Sequence, residues 1–252
     1  MVNKRCSTLL CALLAVGPLS AVAEPAADEI LAKADGYRNF KGRPFSFDLQ
    51  LINKEAGADD KSFALRVEVQ NSHRSLVVYT APAAERGKAL LMDGNNLWFS
   101  SPGTSRPLRI TPQQRLIGEA SNGDVASTDF SGDYTPTLLG SEVIDDVPCQ
   151  KLELVVKPGA LAAYAKLTLW VKESNQQPVK AEFFGPSGKL LKTAYYRQYA
   201  PVALAGGAPQ LVELEIVNAL NAGKRTVMKY ANFSLDEIPD SHFSTAYLAR
   251  LR

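Results

Sequence analysis

The chain has 252 residues, with 28 basic and 26 acidic side chains, 46% hydrophobic and 21% charged residues. So near-neutral a balance gives nucleic acid or an anionic surface no electrostatic hold. The length suits one β-rich domain or two small ones, and no internal repeat or low-complexity tract divides it.

The first segment is a leader. Lys4 and Arg5 give a basic head, an apolar stretch runs from Leu9 to Val22, and Ala21-Val22-Ala23 is a small-x-small exit before Glu24. That pattern predicts a secretory signal peptide over residues 1–23, cleaved near Ala23/Glu24, and a mature chain of 24–252 in the periplasm. The stretch is too short and too broken, by Gly17, Pro18 and Ser20, to stay as a membrane-spanning helix. Cys6 and Cys11 leave with it, so Cys149 is the single thiol of the mature chain. The fold must then stand on its core rather than on disulfides.

Pro25 to Tyr37 predicts a first helix, with Ile30, Leu31, Ala34 and Tyr37 on one stripe. Period two follows at once. Phe45, Phe47, Leu49 and Leu51 alternate with Ser46, Asp48 and Gln50, and Phe63, Leu65, Val67 and Val69 alternate with Ala64, Arg66 and Glu68. Further strands are expected near 75–80, 88–92, 97–100, 108–111, 142–145, 150–156, 166–172, 179–184, 189–196, 211–217 and 225–230. Asp93-Gly94, Asp145-Asp146, Gly185 to Gly188 and Asn221 to Lys224 supply the turns between strands. Short helices are expected at Pro112–Ile117 and Thr128–Leu139, and a last one near the C-terminus, capped by Asp240 or Ser241.

So many strands with short connections imply a mainly β fold, an antiparallel meander that curls toward a barrel. An outer-membrane barrel would need apolar outward faces. Here Arg66 and Glu68, or Glu213 and Glu215, fill those positions, which excludes it.

Chemistry has few places to live. The two histidines, His73 (read as a polar strand residue) and His242 (read as the start of a helix), stand in no ligand-spaced motif. With Cys149 alone there is no zinc constellation, and no nucleophile elbow, phosphate loop or dinucleotide fingerprint occurs. Asp124, Asp129 and Asp133 miss the calcium-loop spacing and read as helix caps and solvated carboxylates. Cys149, beside Pro148, reads as a small buried hydrophobe. No catalytic, metal-binding or cofactor-binding residue is assigned, and the protein is not expected to be an enzyme.

Asp93, Gly94, Leu97, Trp98, Phe99 and Pro102 resemble the D-G-x-x-L-W-F-Y-x-P stretch of the periplasmic LolA-type lipoprotein carriers, with Ser100 in place of the tyrosine. Arg86-Gly87, Trp98, Pro102 to Arg106, the run from Arg109 to Gln114, Asp129 and the pair Asp133-Tyr134 are similar to the LolA-like outer-membrane lipoprotein-sorting proteins. The resemblance implies one domain over 24–252, an incomplete antiparallel barrel with helices over its open side. It also implies an apolar space holding acyl chains or other lipid, for transfer between inner and outer membrane. Phe45, Phe47, Leu49, Leu51, Phe63, Leu65, Val67, Val69, Leu97, Trp98 and Phe99 are the candidates to line it. The carriers use a basic residue in the cavity region, and none aligns here; Arg66 lies on the polar alternation. An inner-membrane exporter of the resistance-nodulation-division type and an outer-membrane acceptor are the implied membrane partners. A regulatory or exporter-accessory module acting through protein contacts is the alternative.

Overall fold

The computed structural model describes residues 26–40, 42–104, 106–126, 129–160 and 162–251, so the leader expected over 1–23 lies outside the described residues. The chain starts with α1 (Ala27–Asp35). Then come β1 (Phe45–Glu55), β2 (Lys61–Asn71), β3 (Arg74–Ala81), β4 (Ala89–Asp93), β5 (Asn96–Ser100) and β6 (Leu108–Ile110). A small hairpin of β7 (Arg115–Ile117) and β8 (Ala120–Ser121) leads into α2 (Asn122–Ala126). The chain returns through β9 (Tyr134–Ile144), β10 (Val147–Val156), β11 (Lys166–Lys172), β12 (Pro178–Phe184), β13 (Leu190–Pro201), β14 (Pro209–Asn218) and β15 (Lys224–Ser234). It closes in a tight turn, Asp240–His242, and α3 (Thr245–Leu248).

Thirteen strands make one antiparallel sheet in the order β6-β5-β4-β3-β2-β1-β15-β14-β13-β12-β11-β10-β9. The pairing of β1 with β15, Leu51 opposite Met228, joins the two meanders through the middle. Its outer strands, β6 and β9, do not pair with each other, so the curved sheet is an incomplete barrel with α1 and α2 over its open side.

The inward face of β1, β2 and β11 follows the alternation. Phe45, Phe47, Leu49, Leu51, Leu65, Val67, Val69, Leu167, Leu169 and Val171 join one core with Ile30, Leu31 and Ala34 of α1 and Val125 of α2. Outward positions carry polar pairs such as Arg66 to Asp48, 3.0 Å. Along β4 the pattern changes to continuous burial. Leu90 faces the core, while Leu91, Leu76 and Ala89 are covered on the other face by Phe243 and Leu248 of the C-terminal segment. Cys149 is fully buried, as its setting suggests.

Several local expectations are corrected. Pro112–Ile117 is a turn followed by β7, and Tyr134–Leu139 belongs to β9, so the helix in this region is α2. Pro136 is tolerated in a strand because β9 is an edge, where a missing N–H breaks no ladder. His73 sits in the β2–β3 turn, its amide donating to Asn71 Oδ1 at 2.9 Å. The last helix starts later than expected: Ser244 Oγ accepts from Tyr247 N–H at 3.1 Å, and Asp240 and Ser241 lie in the turn before it. Tyr37 also falls beyond the end of α1.

Candidate functional site

The chemistry of the molecule is concentrated where the two covering helices meet the inside of the sheet. α1 is amphipathic and short, and its last residue, Asp35, is buried. Asp35 accepts from Phe130 N–H at 3.0 Å, Ser131 N–H at 2.7 Å and the Ser131 hydroxyl at 2.5 Å. Burial and the neighbouring Asp129 carboxyl push the Asp35 pKa up to about 8. Just beyond α1, Gln210 Nε2 donates to Gly36 C=O at 3.1 Å and Leu211 N–H to Tyr37 C=O at 2.8 Å, tying this helix to β14.

α2 is held differently. Its Asp124 pairs with Lys192 of β13, both side chains almost fully buried. Asp124 also accepts from Ser121 N–H at 2.7 Å and from the Tyr164 hydroxyl at 2.9 Å. Asp133 is buried as well, and burial raises its pKa. These two carboxylates are therefore not solvated, although Asp124 does act as a cap. The β7–β8 hairpin seats α2 on the end of the barrel. Gly118 sits at φ 58°, where an added Cβ would lie 1.9 Å from Asn53 Oδ1, so only glycine fits. Glu119 N–H donates to Thr226 Oγ1 at 2.8 Å.

Arg38 follows α1 and supplies a basic group inside the barrel mouth. Its guanidinium lies 4.4 Å from the Phe130 ring centroid. Asp35 and Asp124 both act on it electrostatically, and burial raises the Tyr196 hydroxyl beside it to about 12. The stretches that resemble the family do not include this residue. The only signal was an arginine set among Tyr37, Asn39 and Phe40 directly after an amphipathic helix.

The interior is nearly filled. One void of about 40 Å³ is bounded by Arg38, Asp124, Phe130, Tyr164, Tyr196 and Leu214. A second of about 20 Å³ lies between Arg38, Asp124, Phe47, Leu49, Tyr230 and Phe233. Each holds about one or two waters and no long acyl chain. Two larger clefts open at the surface. One of about 390 Å³ is bounded by Ala32, Gly36, Tyr37, Asn175, Pro209 and Gln210. The other, about 300 Å³, is bounded by Gln113, Tyr164, Lys189, Leu191, Lys192 and Leu220. Tyr37 and Gln210 border both the first cleft and the smaller void; Tyr164 borders both the larger void and the second cleft. A row of spaces thus crosses the molecule, interrupted at Tyr37, at Arg38 with Asp124, and at Tyr164.

Of the residues expected to line a cavity, Phe45, Phe47, Leu49, Leu51, Leu65, Val67 and Val69 come together on the inward face, with Phe63 and Phe99 packed at its margin. Leu97 packs with Met92 and Ile110 near the β6 edge. Trp98 points the other way, against Leu76, Leu91 and the C-terminal segment, so it lies outside that set. Strand alternation forbids three consecutive residues from sharing one face. Among the described residues, no three His, Cys, Asp or Glu side chains could together hold a metal ion, and no helix is long and apolar enough to cross a membrane.

A family model described only as an uncharacterized protein matches residues 71–250. No curated protein matches the chain. Among solved structures, a LolA superfamily protein from Nitrosomonas europaea is 35% identical, with a TM-score of 0.82, covering 89% of this chain and 100% of that one. A DUF1329 family protein from Desulfovibrio piger shares the fold at TM-score 0.73 and 18% identity, over 88% of this chain and 97% of its own. A domain from Vibrio parahaemolyticus assigned to outer membrane lipoprotein sorting does so at 0.73 and 18%, over 89% and 98%. An incomplete barrel with its helical cover, matched over the whole length of the Nitrosomonas protein at that identity, places this chain in the LolA superfamily.

Proposed function

We propose that the protein is a periplasmic carrier or chaperone, shielding lipoprotein acyl chains or other apolar lipid during transfer between the inner and outer membranes. It acts by binding rather than by catalysis. The observation that supports this most directly is the way α1 and α2 close the mouth of an apolar half-barrel. Each presents apolar side chains inward, yet each is also fixed at a few polar points: Asp35 to Phe130 and Ser131, and Asp124 to Lys192. A core that existed only to be solid would gain little from a buried ion pair such as Asp124 with Lys192, or from the buried Asp35 carboxyl, at its lid, since such groups rarely add net stability. Point contacts of this kind can break and re-form while the apolar faces separate to admit a chain.

In the closed state Ile30, Leu31 and Ala34 of α1 and Val125 of α2 pack into the same core as Phe47, Leu49, Tyr196 and Leu214. In the loaded state the same side chains would cover cargo, so the apolar area leaves water in both. Arg38, at the junction of the two voids, is placed to meet the polar ester or headgroup region of a lipid whose tails run inward. Membership in the LolA superfamily supports the reading. An inner-membrane exporter of the resistance-nodulation-division type and an outer-membrane acceptor would be the donor and receiver.

The test is mass spectrometry of an organic extract of protein purified from the periplasm without detergent, followed by titration with an apolar fluorescent probe. A stoichiometric lipid or lipidated peptide, displaced by the probe, is the expected result. An empty extract together with no probe binding would overturn the carrier role.

A further inference from the structure

The hairpin between β13 and β14 is apolar from end to end. From Gln198 to Val212 it contains no charged residue, in a chain of which 21% are charged. From Pro201 to Pro209 no side chain can donate or accept a hydrogen bond. Most of this stretch nevertheless faces outward, with Leu204 42% exposed at its tip.

The backbone compensates. Ala205 and Gly207 N–H donate to Val202 C=O at 2.9 and 3.1 Å, Gly206 to Ala203 at 3.0 Å, Ala208 to Ala205 at 3.3 Å, and Val202 back to Ala208 at 3.3 Å. Gly206 and Gly207, at φ 66° and 80°, allow the chain to fold back on itself in this way. Pro201 and Pro209, opposite each other on the last rung, have no N–H to satisfy.

A loop shaped for a protein partner carries Tyr, Trp or Arg anchors. One shaped only for water carries Asn, Asp or Ser. A tip without side-chain polarity, five of whose seven amides from Val202 to Ala208 bond within the loop, suits the boundary of an apolar medium, where the amides of Ala203 and Leu204 can still meet lipid esters or water. At its base the Tyr37 and Tyr199 rings meet edge-on, 5.6 Å between centroids, with the Tyr37 hydroxyl donating to Asn175 C=O at 3.0 Å. Lys33 stands on the rim of the same cleft. Aromatic rings with polar tips and a lysine able to extend to water match the headgroup level of a bilayer. Beside the loop lies the cleft of about 390 Å³ that shares Tyr37 and Gln210 with the interior.

We propose that the exposed tip at Ala203 and Leu204, backed by Val202 and Ala205 packed against the core, docks the protein on a phospholipid bilayer, with the Tyr37 cleft turned toward the acyl layer as the port through which cargo passes. The port rests on the carrier reading; the docking does not.

The experiment is co-sedimentation of the purified protein with vesicles of phosphatidylethanolamine and phosphatidylglycerol, beside apolar-probe binding in vesicle-free buffer. Wild type sediments with the vesicles. Leu204→Asp and Ala203→Asp, both at exposed positions and checked for an unchanged melt, lower the bound fraction by about tenfold. Leu220→Asp, at a residue 76% exposed on the β14–β15 turn, does not. All these proteins share one N-terminus, so differences report on the loops. Wild type left in the supernatant, or equal losses for Leu220→Asp and Leu204→Asp, would overturn docking. So would a vesicle-free dimer that Leu204→Asp dissolves, because the tip would then meet a second copy. Vesicle binding without probe binding keeps the docking and removes the carrier role; probe binding without vesicle binding does the reverse.

Discussion

Lys192 of β13 and Asp124 of α2 form an ion pair across the barrel mouth, with 6% and 8% of their side chains exposed. The ammonium also lies 4.8 Å from the Tyr164 ring centroid and donates to Glu119 C=O at 3.3 Å. Removing one partner leaves the other charged and dry. Lys192→Met should therefore lower stability by about 3–5 kcal/mol, read as a reduced urea midpoint. Combining it with Asp124→Asn removes both charges, keeps an oxygen for Ser121 N–H and offers an amide N–H to the Tyr164 oxygen, whose hydroxyl can donate to Ser121 Oγ instead, so most of the loss should return. If Lys192→Met unfolds at the wild-type midpoint, the pair does not hold α2.

The Asp35 carboxyl sets a pH dependence. Its folded-state pKa of about 8 lies above the 3.8 of an ordinary aspartate, with burial the largest cause and Asp129 next. The folded state therefore keeps a proton that the unfolded chain releases. The contribution of this group is fully present below about pH 4, declines as pH rises and levels off above about 8, with a slope of at most about 1.4 kcal/mol per pH unit. Asp35→Asn cannot ionise, yet retains an oxygen for Phe130 and Ser131 and offers an amide to Asp129. Denaturation of both proteins from pH 5 to 8.5 should show a flatter profile for the variant, which should match or exceed wild type at the alkaline end. Parallel profiles would mean that Asp35 does not titrate in this range.

The strands were largely legible, and the reasons are local. In β11, Leu167, Leu169 and Val171 alternate with Thr168 and Trp170, and the expected and observed limits coincide. The helix expected over 128–139 failed because adjacent Leu138 and Leu139 hide the period-two pattern, and Asp129 and Asp133 imitate helix caps. The mouth was less legible. Arg38 finds Phe130 and Tyr196 far along the chain, and Lys192 finds Asp124 across 68 residues, separations that no periodicity encodes. One clue was present: on β13, Lys192 occupies the same inward parity as Ala194 and Tyr196. A charge at an inward position is a reason to look for a buried partner. The family motif drew attention to Trp98, but a motif marks a segment and not a face.

Both tryptophans lie on the outward face of the sheet, which gives an optical test of where cargo resides. Trp170 is buried there beneath Lys151 and Lys180, its indole donating to Glu142 at 2.9 Å, while its neighbours Leu169 and Val171 face the core. Trp98 packs against Leu76, Leu91 and the C-terminal segment with Tyr247. Trp98→Ala should cost about 2 kcal/mol, speed hydrogen exchange over 240–251, and leave apolar-probe binding unchanged. A lipid with brominated acyl chains, which quenches indole only on close approach, should leave wild-type emission intact. The same lipid should quench a Tyr196→Trp reporter built on Trp98→Phe and Trp170→Phe, because Tyr196 borders the interior void. Quenching of wild type with none in the reporter would put the cargo on the outward face and overturn the interior site.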